Sequence, residues 1–325
     1  MRDNKLIHGI LTILLALAIP LTTAARPGEE KAIVLAVFGT SHVEGLPGIL
    51  AIRDGVRQAF PKTRVELAFT SNIIRRIWQK RSQDPSYRGA HPEVPREILE
   101  VRGPLATMAN LQDEGYGYLI IQPTHMVGGE EFADLSAYVD GFNSIRTVKA
   151  RNLPFKRVIV GRPALGVPGI EHEYRRDIEI AAKALAADVA AAAGQQRALV
   201  YMAHGNEHYS TGYYLELEAV MREMYPATPT YIGTVEGFPE LARVVAALEH
   251  DGVRQVYLKP LMTVAGDHAR NDMAGDEPDS WRKILEAKGI DVRIDLRGVG
   301  ELPAFVEIFV QHIRDAAKDH GLELK

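Results

Sequence analysis

Cysteine is absent from all 325 residues. That excludes disulfides, thiolate nucleophiles, iron–sulfur clusters and cysteine zinc sites, so any metal must be held by histidine, carboxylate, methionine or backbone oxygen. An excess of positive charge is also missing. The 38 Lys and Arg stand against 42 Asp and Glu, for a formal net charge of −4. Composition therefore argues against a strongly basic nucleic-acid binder. There is no G-x-G-x-x-G and no Walker lysine motif, which leaves nucleotide binding with little support. Past the N-terminal region no apolar run is long enough to span a bilayer. What remains is ordinary globular usage, 46% hydrophobic and 25% charged. At roughly 150 residues per domain, the length suggests two domains.

The N-terminus has a layout of its own. Arg2 and Lys5 open it, and an apolar run over 6–21 follows, broken only by His8, Gly9, Thr12 and Pro20. Thr23 and Ala25 then stand at the small-residue positions before a cut ahead of Arg26. This is the pattern of a secretory signal peptide over 1–25, and it predicts a periplasmic protein with no membrane attachment after cleavage. The alternative is a retained anchor, for which the run is short of the ~20 apolar residues a span needs.

The rest alternates strands and helices. Strands are predicted at 32–38, 64–69, 117–122, 156–160, 198–203, 230–233, 255–260 and 291–294. Helices are predicted at 47–60, 105–114, 130–148, 171–193, 213–224, 238–250, 280–288 and 304–320. A further one runs to Arg81 behind the capping stretch Thr70-Ser71-Asn72. Residues 82–95, with three prolines and a glycine, read as a loop. The expected class is α/β, with two similar doubly wound parallel-sheet domains and ligands beyond the carboxyl ends of strands. The first domain is expected over 26–160, a connecting helix over 161–195 and the second domain over 196–303. The C-terminal helix, over 304–325, returns to the first domain. Two segment pairs suggest a duplicated unit: residues 33–39 align with 199–205, and 122–131 with 259–268. In the second pair Pro123 matches Pro260, Val127 matches Val264, Gly129 matches Gly266, and Glu131 falls opposite His268.

His204 and His268 follow strands that would neighbour each other, on one edge of the second sheet. Imidazole is the commonest protein metal ligand, and its pKa near 6.5 also suits proton transfer. A lone histidine there would read as a hydrogen-bonded structural group, but two at mirrored loop positions suit one divalent ion. Glu236 follows the intervening strand and is the candidate third ligand; its other reading is a carboxylate on a helix N-terminus. Such a set fits cobalt, nickel, zinc or ferrous iron without choosing among them. Glu131 and His125 are the first-domain candidates, Glu131 otherwise being an exposed acid in a first helical turn. Residues 267–279 are acidic without EF-hand spacing and read as a solvated or hinge loop. Arg75, Arg76, Lys80 and Arg81 form a basic stripe, either a solvated face or a seat for an acidic ligand.

These residues fall within stretches that carry a family resemblance: Phe38-Gly39-Thr40-Ser41, Ala68-Phe69-Thr70-Ser71 with Ile74-Arg75, 122–132, Met202-Ala203-His204-Gly205, Val235-Glu236 with Pro239-Glu240, and 260–281. The most specific stretch runs from Val264 through His268 to Ala274. The chain resembles the anaerobic sirohydrochlorin cobaltochelatases, the CbiK type of class II tetrapyrrole chelatase. The resemblance implies two similar α/β domains with the site between them. It implies catalytic, metal-binding histidines at His204 and His268, an active-site glutamate at Glu131, and a metal-site glutamate at Glu236. Sirohydrochlorin and Co²⁺ are the implied substrates, with Fe²⁺ as an alternative metal. The leader-like segment is similar to that of periplasmic members from sulfate-reducing bacteria, which implies a homotetramer that also binds haem b, with His91 and His125 as candidate axial ligands. Two other readings compete: a periplasmic metal- or haem-trafficking protein on the same fold, and a two-lobed solute-binding protein, which the histidine loops argue against.

Overall fold

The computed structural model describes residues 28–206 and 211–325; the leader-like segment 1–25 lies outside them. The first half runs β1 (Glu30–Val37), α1 (Leu46–Ala59), β2 (Arg64–Phe69), α2 (Asn72–Gln83), α3 (Pro85–Ala90), α4 (Arg96–Leu99), α5 (Pro104–Asp113), β3 (Tyr116–Pro123), α6 (Glu130–Ser144) and β4 (Arg157–Val160). Helices α7 (Tyr174–Ala184) and α8 (Ala186–Ala193) connect it to the second half. There the order is β5 (Ala198–Gly205), α9 (Thr211–Met224), β6 (Thr230–Glu236), α10 (Leu241–His250), β7 (Gln255–Leu261), α11 (Trp281–Ala287), β8 (Asp291–Ile294) and α12 (Pro303–Asp319).

Each half is a four-stranded parallel sheet, in the order β2-β1-β3-β4 and β6-β5-β7-β8. The central strands are continuous apolar runs because helices cover both faces. The duplication seen in sequence reappears in register: Leu35 lies opposite Gln122, and its counterpart Tyr201 lies opposite Lys259. Gly39 and Gly205, matched in the alignment, both take positive φ, 99° and 81°. A side chain is strained there, so both halves leave their central strand through a glycine.

Three sequence expectations need correction. The stretch 82–95 contains α3: Asp84 caps it by accepting a hydrogen bond from Ser86 N at 2.9 Å, and Pro85 occupies its first turn. Asp-Pro there is a helix start rather than a break. The helix expected over 171–193 is broken at Leu185 into α7 and α8. The break carries Asp188 beneath β5, where it pairs with the buried Lys259 ammonium at 2.9 Å and accepts from Tyr201 Oη at 2.8 Å. Helix α6 stops at Ser144, short of the expected 148.

A single apolar cluster joins the halves, with Ile33 and Leu35 of β1, Phe305 and Phe309 of α12, and Leu199 and Tyr201 of β5 among its members. Burying each large side chain contributes about 1.5–3 kcal/mol. Helix α12 packs on α1, β3 and α7. A buried polar lock holds it. Arg162 donates to Asp177 of α7 at 2.6 Å and to Asp315 of α12 at 2.7 Å, and His312 Nδ1 donates to the Arg162 carbonyl at 3.0 Å. The two halves also meet along a glycine seam. A Cβ on Gly48 of α1 would stand 2.6 Å from the Thr263 carbonyl oxygen, and one on Gly300 would stand 2.5 Å from the same atom.

Burial works to raise the Asp177 pKa, but hydrogen bonds from His312 and Arg162 outweigh it and hold it at about 2. The lowered value stabilises the fold above pH ~4, and the gain is lost as pH falls toward 2. In acid titrations of stability, Asp177→Asn should remove about 2 kcal/mol at neutral pH and flatten the loss between pH 4 and 2. At the seam, Gly48→Ala or Gly300→Ala should cost about 1–3 kcal/mol in denaturant unfolding, because backbone on the far side cannot yield cheaply.

Candidate active site

Parallel strands in one sheet carry all their carboxyl ends to one edge, and both sheets turn that edge toward a shared cavity of about 350 Å³. His204 is the penultimate residue of β5. His268 lies in the loop after β7, the strand hydrogen-bonded beside β5. Their rings meet edge to face with centroids 4.9 Å apart.

Each ring is oriented through Nδ1. His204 Nδ1 lies 3.0 Å from the Gly205 carbonyl, which only accepts, so the proton sits on Nδ1 and leaves the Nε2 lone pair free. His268 Nδ1 is 2.5 Å from the Asp272 carboxylate. That carboxylate likewise fixes the tautomer and leaves Nε2 free as a ligand. Asp272 reaches His268 because it lies four residues on, at the other end of the π-helical turn Ala269–Met273. The acidic stretch 267–279 is therefore not simply solvated loop. Sequence reading assigned Asp272 no role, though acid spacing four residues after a histidine was the available signal.

The turns that hold this loop are set by the segment between β8 and α12. Val299 N donates to the Met262 carbonyl at 2.9 Å, and Gly300 N to that of Thr263 at 3.2 Å. His42, on the turn after β1, pairs with Asp267 at 3.6 Å when protonated.

At the positions that duplicate His204 and His268 stand Phe38 and Glu131, and both line the cavity. The Phe38 ring lies 6.3 Å from the His204 ring. Glu131 occupies the first turn of α6. Ile73, Ile74 and Ile77 of α2, with Met126 and Met262, make the remaining wall largely apolar. Ile73 is 72% exposed, an apolar side chain left open at the cavity's rim. Tyr214 of α9, fully buried, also reaches this wall, and burial raises its phenol pKa well above the usual value. Sequence reading assigned the isoleucines and Tyr214 no function, because at helical spacing they look like core.

His125 joins the same wall, and both its ring nitrogens are sealed from solvent without a hydrogen-bond partner. Burial depresses its pKa to about 4 against the opposing pull of Glu131, so the ring is neutral at pH 7. His91 lies elsewhere. It follows α3, its Nδ1 is 3.0 Å from Glu93, and its ring packs on Tyr87 at 4.4 Å. Of the two candidate axial ligands, His91 is engaged by Glu93 and Tyr87, and His125 faces the cavity of the histidine pair.

Glu236 is also placed differently from expectation. It ends β6, with its main chain paired to Gly205, but its side chain is exposed and off the cavity wall. Among the described residues no three histidine or acidic side chains form a ready metal-binding group. Two imidazoles are in place, and the third ligand is not.

Two duplicated α/β halves, with a histidine pair facing an aromatic ring and an acid across an apolar cavity, define a protein of the two-domain chelatase class. Solved structures share this fold. SirB from Bacillus subtilis with Fe³⁺ matches at TM-score 0.56 and 14% identity, covering 91% of this chain and all of that one. SirB in complex with cobalt matches at 0.54 and 12%, covering 90% and 97%. The family model described as cobalt chelatase (CbiK) matches residues 31–318, and the chain belongs to that family. It is 32% identical to a sirohydrochlorin cobaltochelatase of Nitratidesulfovibrio vulgaris, over 89% of this chain and 92% of the relative. It is 31% identical to the sirohydrochlorin cobaltochelatase of Salmonella typhimurium, over 88% and 96%.

If Asp272 orients His268 as a ligand, Asp272→Ala should weaken Co²⁺ binding about 10- to 100-fold in calorimetric titration, with the circular dichroism spectrum unchanged.

Proposed function

We propose that this chain is a sirohydrochlorin cobaltochelatase, inserting Co²⁺ into the macrocycle with release of two protons. The observation that carries the reading is the oriented His204–His268 pair in an apolar cavity, in a chain similar to two curated proteins that bear that name. The reaction must strip water from a divalent ion, remove two pyrrole N–H protons and bend the ring so that its nitrogens reach the metal.

His204 and His268 meet the first demand. With both Nδ1 protons engaged, two Nε2 lone pairs are free. A ring spacing of 4.9 Å lets them share one ion at a bond length of about 2.1 Å. Glu236, hydrogen-bonded through its backbone one residue from His204, is the carboxylate the ion would draw in by side-chain rotation. As the ion passes to the macrocycle, the freed imidazoles accept the pyrrole protons. Imidazole is suited to that at neutral pH. Glu131, on the opposite wall, receives a proton or guides the incoming ion. Phe38, Ile73 and Ile77 offer the flat ring an apolar seat without hydrogen bonds that would hold it planar.

Fe²⁺ presents the same charge to the same nitrogen ligands, and we extend the proposal to it as a second substrate metal. The leader-like segment 1–25 supports action in the periplasm, and assembly as a homotetramer follows from the family resemblance. A carrier that binds without turnover is the competing reading.

An anaerobic absorbance assay with sirohydrochlorin and Co²⁺ tests the proposal. Wild type should convert many equivalents of macrocycle per chain. His204→Ala and His268→Ala should reduce insertion to the uncatalysed rate while melting like wild type. A change that stops at one equivalent would overturn catalysis in favour of a carrier. Full activity in a folded His204→Ala variant would overturn the site.

A further inference from the structure

A second cavity, of about 410 Å³, lies against the first. The two share Phe38 and Glu131 as a common wall. The far side is built from the turn after β2 and the starts of α2 and α5. It carries two guanidinium groups, Arg75 and Arg102.

Arg75 donates to the Phe69 carbonyl, to the Thr70 carbonyl at 3.0 Å and to the Asn72 side chain, all neutral acceptors. Its guanidinium lies against Gly103, where a Cβ would come within 2.7 Å of the guanidinium carbon. Glycine at 103 is therefore what makes room for the charge. Arg102 is exposed and, among the described residues, its side chain has no hydrogen-bond or ion-pair partner. No carboxylate among the described residues pairs with either group, although arginine is cationic at any relevant pH. Burial pulls the Arg75 pKa below its ordinary value, against the opposing pull of Tyr138.

Two further features point the same way. Thr70 lines this cavity, and its Oγ1 is buried without a hydrogen-bond partner. The ten-residue helix α5 starts here behind Gly103, with no side-chain cap, so its first-turn N–H groups are open to an acceptor. The acids Glu131 and Asp134 stand on the opposite wall, one helical turn apart on α6. An anion entering the cavity is thus pushed from one side and drawn to the other. A free divalent cation would meet two unpaired guanidinium groups, which makes this a poor metal route.

We propose that this second cavity seats a carboxylate side arm of the tetrapyrrole whose ring occupies the histidine cavity, with Arg75 and Arg102 as its cationic contacts. The inference rests on the tetrapyrrole reading above. Sirohydrochlorin carries eight carboxylates, and one fixed arm would set the rotation of the ring over His204 and His268. Arginine suits this because its planar fork matches a carboxylate.

The test uses Arg102→Glu, since that side chain supports nothing else in the fold. Binding of metal-free sirohydrochlorin and of its octamethyl ester is measured by fluorescence titration, alongside steady-state Co²⁺ insertion. Kd and KM for sirohydrochlorin should rise about tenfold. The ester should bind wild type and variant alike, and KM for Co²⁺ should not move. Leu105→Lys, which adds a cation at the 48%-exposed rim, should tighten binding of the acid but not of the ester. An unchanged Kd for the acid in Arg102→Glu, or equal weakening of acid and ester, would overturn the proposal. If wild type binds the macrocycle without turnover, the insertion reading fails, and the acid-against-ester comparison still decides the arm site. If wild type does not bind it, both fall.

Discussion

The arrangement of this molecule depends on how closely two backbones approach at the seam between its halves. Gly48 of α1 and Gly300 both lie against the Thr263 carbonyl, at distances no side chain would permit. The same Thr263 carbonyl accepts from Gly300 N, and the neighbouring Met262 carbonyl accepts from Val299 N. The Gly48 contact sets the loop that ends in His268 against a helix of the first half, and the Val299 and Gly300 bonds brace it from within the second. The separation of Phe38 and Glu131 from the histidine pair therefore follows from packing between rigid elements, not from the loops alone. A site that must hold a metal and a flat ring in one geometry gains from such support.

Duplication supplies the frame, and divergence at matched positions supplies the chemistry. Gln122 and Lys259 occupy equivalent buried places in their sheets. Gln122 bonds to the Arg162 carbonyl at 2.9 Å, while Lys259 pairs with Asp188 and Asp295 at 2.9 and 3.4 Å. At the cavity the exchange is larger: Phe38 against His204, and Glu131 against His268. The second half carries the paired imidazoles. The first is apolar and acidic, and its neighbouring cavity holds two cations without acidic partners. One fold thus presents different chemistry on the two sides of the cavity.

Much of this was legible in the chain. Alternating strands and helices were readable from apolar runs between glycine and proline punctuation, and β2 and β8 begin and end where those runs do. The strand-end positions of His204 and His268 followed from the same pattern. Reading failed where a local signal had two meanings. Proline at 85 starts a helix, though it reads as a breaker. Ile73, Ile77 and Tyr214 have the spacing of core residues, yet they face a cavity.

By itself the sequence determined the fold class, the repeat and the two histidines, because each is set by neighbours a few residues away or by a pattern with a fixed period. The tertiary structure decided which other groups join them. Glu131 reaches the cavity and Glu236 lies off it, although both are acids that follow a strand's core. His125 is sealed without a partner, and Asp272 stands behind His268. Those outcomes depend on side-chain direction and on contacts between segments far apart in the chain. No local pattern encodes them.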